Sequence, residues 1–201
     1  MSELTVLQTV RLKGRVSPAE LAATLDADPA EIARAVRQLT ESGLLVGDAV
    51  LQLSRDGRAR LDELLTKERS DVDTSALIAA YEHFRVVNAD FKKAVTDWQL
   101  RDGDPNTHQD AEYDAGVLAR IDAIHQRVVP IIAAAAAQLP RLSAYSAKLQ
   151  RALDRVKAGD IAWLSRPLID SYHTVWFELH EELIAAAGLT RAAEAKAGNA
   201  Q

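Results

Sequence analysis

Two groups of residues in this chain have types and spacing suited to chemistry. The first is a set of arginines near the N-terminus. In the segment PAEIARAVRQLTE (29–41), Ile32, Val36 and Leu39 recur at helical spacing, which turns Ala30, Arg34, Arg37, Gln38 and Glu41 to the opposite face. Arginine matches guanine edges and glutamine matches adenine edges, so Arg34, Arg37 and Gln38 are candidate base readers. Arg11, Lys13 and Arg15 before them, and Arg55, Arg58 and Arg60 after them, are candidate phosphate contacts that would give salt-dependent affinity. An alternative stays open. Residues 1–69 hold ten Lys/Arg against eleven Asp/Glu. Asp48 lies in a predicted turn where a basic tip would suit phosphate better. The same charges would then be a solvated surface on a protein-docking module.

The second group is a set of polar and aromatic residues on apolar helical stripes. Asn88 interrupts the stripe Leu77, Tyr81, Phe84, Phe91, Val95, Trp98, and His125 sits between Ile121 and Val128. Near the C-terminus, Tyr172, Trp176, Leu179 and Leu183 form one stripe, and His173, Phe177, His180 and Ile184 form its neighbour. Binding sites in helical proteins lie between helices, with a few polar groups in aromatic walls. Tyr81, Phe84, Asn88, Trp98, His125, Tyr172, His173, Trp176 and His180 are therefore candidate ligand-lining residues, with Arg166 a candidate partner for a carboxylate or phosphate. The alternative is that each buried polar group finds a local hydrogen bond and fixes helix register. Metal and catalytic chemistry have less support. There is no Glu-x-x-His pair, and His173 and His180 are two turns apart, wider than the usual i, i+4 ligand pair. No nucleophile elbow, phosphate loop or paired-carboxylate motif frames the Ser, His and acidic residues. No catalytic residue, metal or cofactor is expected.

Composition limits what these groups can serve. The chain has 201 residues, 48% hydrophobic and 26% charged, enough for a core and a solvated surface. It has no cysteine, which excludes disulfides, cysteine-ligated zinc and a cysteine nucleophile. The net charge of −5 argues against indiscriminate polyanion binding. The N-terminus lacks an apolar export segment, and the stretch Val128 to Leu139 contains Pro130 and is too short to span a bilayer. A cytoplasmic protein without a membrane partner is expected.

The elements that would position these residues fall in two parts. A polar run, KERSDVD (67–73), separates short, closely punctuated segments from long amphipathic ones. It predicts domains at 1–69 and 70–188, with a frayed tail at 189–201. In the first part, a helix over 3–13 ends at Gly14. Ser17-Pro18-Ala19-Glu20 and Asp28-Pro29-Ala30-Glu31 are then two helix starts of one design. Leu44 to Val46 and Val50 to Leu53, joined through Gly47-Asp48, read as a two-stranded ribbon, and SRDGRARLDELL starts another helix. The second part predicts four long helices: 74–101, 110–139 kinked at Pro130 and ended by Pro140, 142–157, and a last one ending at Gly188. Pro167 would mark the first turn or a kink of that last helix. The expected fold is mainly α, an N-terminal winged helix-turn-helix followed by an antiparallel helical bundle.

SPAELAATLDADPAEIARAVRQLTESGLL and LSRDGRARLDELL resemble the MarR-like winged helix and its strand-to-helix exit. MarR-like proteins place dimerisation helices on both sides of the winged helix. Here little precedes it, so a dimer interface is expected from the C-terminal half. FRVVNADFKKAVTDWQLRD and RPLIDSYHTVWFELHEELIAAAGLTR are similar to a helical region of actinobacterial MarR-type regulators, a region also found beside phosphoenolpyruvate-utilising proteins of the pyruvate phosphate dikinase type. The resemblance implies a regulatory module without phosphotransfer chemistry. The expected function is a transcriptional regulator, not an enzyme: a homodimer on double-stranded DNA, with a small-molecule effector in the helical part. The alternative is an interaction module that docks on a metabolic enzyme.

Overall fold

The computed structural model describes residues 1–196. Of these, 74% are helical, in ten helices, with two small two-stranded sheets. No helix among the described residues is long and apolar enough to cross a membrane. The chain divides into two compact units between Val72 and Asp73, inside the polar run and three residues beyond the expected boundary.

The N-terminal unit begins with α1 (Glu3–Lys13), whose end at Gly14 has φ 70°. α2 (Pro18–Leu25) starts at a reciprocal cap: Ser17 Oγ accepts from the Glu20 amide at 3.2 Å, and the Ser17 amide donates to Glu20 Oε2 at 2.8 Å. α3 (Pro29–Glu41) is capped by Asp28, whose Oδ1 accepts from the amides of Ala30 (2.8 Å) and Glu31 (3.0 Å). These caps satisfy amides that the first helical turn leaves unbonded. β1 (Leu45–Val46) and β2 (Gln52–Leu53) pair antiparallel, Leu45 opposite Leu53, and Val16 adds a bridge to Leu51. α4 (Arg55–Ser70) follows, capped by Ser54, whose hydroxyl also donates to the Gly43 carbonyl at 2.6 Å. The core joins Val6, Leu7 and Val10 of α1 to Leu21, Ile32, Leu39, Leu45, Leu51, Leu53 and Leu61. Burial of each Leu or Ile contributes about 1.5–3 kcal/mol before conformational entropy is set against it.

The C-terminal unit opens with α5 (Thr74–Gln99), which buries Leu77, Tyr81, Phe84, Asn88, Phe91, Val95 and Trp98, the stripe expected from the sequence. Where the first long helix was expected to run on to residue 101, the chain leaves α5 at Gln99, and β3 (Leu100–Arg101) and β4 (Asp104–Pro105) form a tight hairpin. Its turn is made by Asp102 (φ 54°) and Gly103 (φ 93°). Two successive positive φ values match the twist of a two-residue hairpin, so DG reads as hairpin rather than loop. α6 (Ala111–Gln138) runs without interruption through Pro130 and packs along α5. A 3₁₀ turn (Pro140–Ser143) leads to α7 (Ala144–Lys157).

The expected fourth helix is divided. α8 (Ala162–Ser165) is one turn long, and α9 (Tyr172–Ala186) starts anew at a Ser171 cap. Pro167 therefore lies in the connection, next to Leu168 at φ 68°, and not in a helix. The tail also differs. α10 (Arg191–Lys196) is helical, with Glu194 buried, while the rest of the expected tail, 197–201, lies outside the described residues. α9 packs against α5, α7 and α8, which explains its wide buried arc. That arc includes two glutamates. Glu182 pairs with Arg141 at 2.7 Å, and Glu178 lies 4.0 Å from Lys148, so neighbouring cations offset the cost of burying both carboxylates.

Candidate functional site

On α3, Ile32 and Leu39 are buried and Ala35 and Val36 half-buried, while Ala30, Arg34, Arg37, Gln38 and Glu41 are exposed. The outward face is the one the sequence predicted. Among the described residues, the side chains of Arg34, Arg37 and Gln38 make no hydrogen bond or ion pair, nor do those of Arg15 and Arg55, which are also exposed. Arg58 is exposed, with its guanidinium 3.5 Å from the Ser54 carbonyl. Three of the remaining candidates are differently placed. Arg11 is half-buried and its Nε donates to Gln8 Oε1 at 2.9 Å. Lys13 is half-buried. Arg60 is held by Glu3 at 3.0 Å and Glu63 at 3.2 Å, so its charge is already paired. Arg15 gains its position from the Val16–Leu51 bridge, which sets the residue beside the ribbon. That bridge is a tertiary pairing and had no local signal in the sequence.

The ribbon tip is not basic. Val46 (47% exposed) and Val50 (40% exposed) flank the exposed Asp48. Gly47 has φ 92°, and a Cβ there would lie 2.1 Å from the Val50 carbonyl oxygen, so the tight turn requires glycine.

In the C-terminal unit, a cleft of about 210 Å³ opens between α5 and α9. Asn88, Lys92 and Thr96 line it along α5, and His173, Phe177 and His180 along α9; Phe91, Val95 and Trp176 complete it. The Phe91 and Trp176 rings stack at 4.2 Å. Trp176 Nε1 donates to Asn88 Oδ1 at 2.9 Å, which fixes the amide. Burial, reinforced by the positive charge of Arg191, pushes the His180 imidazole down to about 4, although Glu194 acts in the opposite sense. Desolvation also lowers His173 from its ordinary range. The cleft thus brings a lysine ammonium group and two imidazoles around an aromatic floor.

Of the ten expected ligand-lining residues, Asn88, His173, Trp176 and His180 meet in this cleft. The others do not. Tyr81 and Phe84 are fully buried behind it. Trp98 packs on His108, ring centres 4.4 Å apart, at the far end of α5. His125 and Tyr172 belong to the core, His125 lying 3.3 Å from the Tyr172 hydroxyl and 3.0 Å from Gln150 Oε1. Arg166 is exposed in the α8–α9 connection and does not line the cleft. On α9 the physical reason is that Tyr172 turns into the core, while Trp176 sits at the edge between core and cleft and His173, Phe177 and His180 reach the groove. Lys92 and Thr96 were missed, although their i+4 and i+8 spacing from Asn88 puts them on one helix face.

His108, which had no expected role, anchors the hairpin. Its Nδ1 lies 3.0 Å from Asp114 Oδ2, and Asn106 Nδ2 donates to Asp114 Oδ1 at 2.9 Å. No group of three or more His, Asp or Glu side chains able to hold a metal occurs among the described residues. No family model, curated protein or solved structure matches the chain.

Proposed function

We propose that this protein is a cytoplasmic transcriptional regulator that binds double-stranded DNA as a homodimer. In this reading residues 1–69 form a winged helix-turn-helix and the C-terminal unit is an antiparallel helical bundle for dimerisation and small-molecule sensing. The observation that supports it most is the outer face of α3: Arg34, Arg37 and Gln38 are exposed and their side chains are unpaired among the described residues, on a helix fixed from behind by Ile32 and Leu39. A recognition helix needs that arrangement, with base-reading side chains free and the helix held rigidly. Arg34 and Arg37 would read guanine edges and Gln38 adenine, while Arg15, Arg55 and Arg58 contact phosphates. An effector in the α5–α9 cleft would change DNA affinity by favouring one conformation of the dimer.

A second reading has one observation in its favour. The exposed valines flanking Asp48 suit a protein surface better than a phosphate backbone, so the N-terminal unit would dock on a metabolic enzyme. Fluorescence anisotropy with labelled DNA from upstream of the coding region separates the two. The regulator reading predicts preference for a discrete segment over scrambled DNA. Arg34→Ala and Arg37→Ala should each weaken binding about tenfold to a hundredfold, since a bidentate base contact contributes about 1–3 kcal/mol. Circular dichroism should be unchanged, because both side chains are exposed. Equal binding of upstream and scrambled DNA would refute it.

A further inference from the structure

α10 brings a carboxylate into a place already furnished for one. Glu194 is 8% exposed, and its Oε2 accepts a hydrogen bond from the Tyr81 hydroxyl at 2.6 Å. That length is typical of an O–H donor on a charged acceptor. His180 Nε2 lies 3.5 Å from the same hydroxyl, and the Phe84 ring stands 5.2 Å from the His180 ring. Arg191 pairs with Glu181 at 2.5 Å and lies over the Phe177 ring at 4.6 Å. Lys92 on α5, which stays in place if α10 moves, adds a positive charge near His180.

The element that brings this anion is weakly held by itself. Among the described residues α10 has six residues, below the length at which an isolated helix persists in water. Glu194 and Arg191 contribute contacts that hold it, and short peripheral segments of this kind open more readily than the core. Tyr81 and His180, by contrast, are fixed on α5 and α9, the long helices of the unit.

We propose that Tyr81 and His180 form a binding site for a small organic carboxylate, and that Glu194 is its tethered resident, which a free carboxylate displaces. The ligand's carboxylate takes the Tyr81 hydrogen bond, and its apolar part lies against Phe84 and Phe177. A tethered group competes at an effective concentration of about millimolar. The intact protein should therefore respond to carboxylates only at about that concentration or above, and removal of Glu194 should uncover tighter binding. The site needs neither DNA binding nor the regulator reading, and its test uses the protein alone.

The probe is butyrate, with butyramide as its uncharged counterpart, followed by tryptophan fluorescence and melting temperature. Glu194→Ala should bind butyrate at least tenfold more tightly than the unaltered protein, with no such gain for butyramide. Adding Tyr81→Phe should abolish the gain. In the unaltered protein, butyrate should speed amide hydrogen exchange in residues 191–196 and leave α5 and α9 protected. This second measurement holds even if the variants fold poorly. Equal butyrate affinity with and without Glu194, an equal response to butyramide, or exchange at 191–196 indifferent to butyrate would each overturn the proposal.

Discussion

The residues that matter most are polar groups held in defined states by their surroundings. Asn88 was legible as an anomaly on an apolar stripe, and its partner explains it: its amide oxygen accepts the Trp176 indole N–H. Asn88→Leu would leave that N–H buried without an acceptor, so stability should fall by about 1–3 kcal/mol, measured by urea denaturation. His180 gives a pH signature. Its folded value is pushed from 6.5 to about 4 by desolvation and Arg191, with Lys92 adding to the effect and Glu194 opposing it. The unfolded chain therefore takes up this proton at higher pH than the folded one. The contribution is fully present above pH 6.5 and is lost as pH falls from 6.5 to about 4. His125 and His173 act with the same sign, since desolvation lowers both. His180→Gln should flatten the decline across that window without removing it. A decline as steep as in the unaltered protein would show that His180 is not held neutral.

At the scale of elements, the parts encoded by local chemistry were readable and the parts made by tertiary contact were not. Ser17 with Glu20, and Asp28 with Pro29, mark the starts of α2 and α3 because a cap acts within one turn. The outward face of α3 followed from periodicity in the same way. The role of Gly57 did not. It reads as an unremarkable residue in the first turn of α4, yet a Cβ there would lie 2.0 Å from the Leu44 carbonyl oxygen. The glycine lets α4 seat directly on the segment leading into the ribbon. Gly57→Ala should destabilise the N-terminal unit by about 1–3 kcal/mol or more through overpacking, visible as a lower melting temperature. An unchanged melting temperature would contradict this seating. The glutamates of α9 were hidden for a related reason. Glu178 and Glu182 lie on a face that periodicity assigns to solvent or core with equal ease, and Arg141 and Lys148 decide it from another part of the chain. The cleft shows the same limit. Four of its residues were anticipated, three of them on α9, but Tyr172 turned into the core and Phe177 toward the cleft, because the neighbours α5, α7 and α8 set which side chains are covered.

For the whole molecule, the net charge of −5 conceals an uneven distribution. Residues 1–69 are close to neutral, and their exposed Arg15, Arg34, Arg37, Arg55 and Arg58 are placed where local field counts for more than the total. On the regulator reading, a near-neutral head with few phosphate contacts would bind DNA only modestly by itself, so that reading requires two heads on paired half-sites. Sedimentation at micromolar concentration should accordingly find a dimer, and DNA should bind two chains per site. The most direct test of the central claim is the salt dependence of that binding. Each neutralised phosphate contributes a slope of about −0.9 in log affinity against log salt. With Arg15, Arg55 and Arg58 of two heads engaged, the slope should be about −5, and Arg55→Ala with Arg58→Ala should reduce it to about −2. A DNA affinity that is absent at low salt, or whose slope is unchanged by those substitutions, would contradict the account.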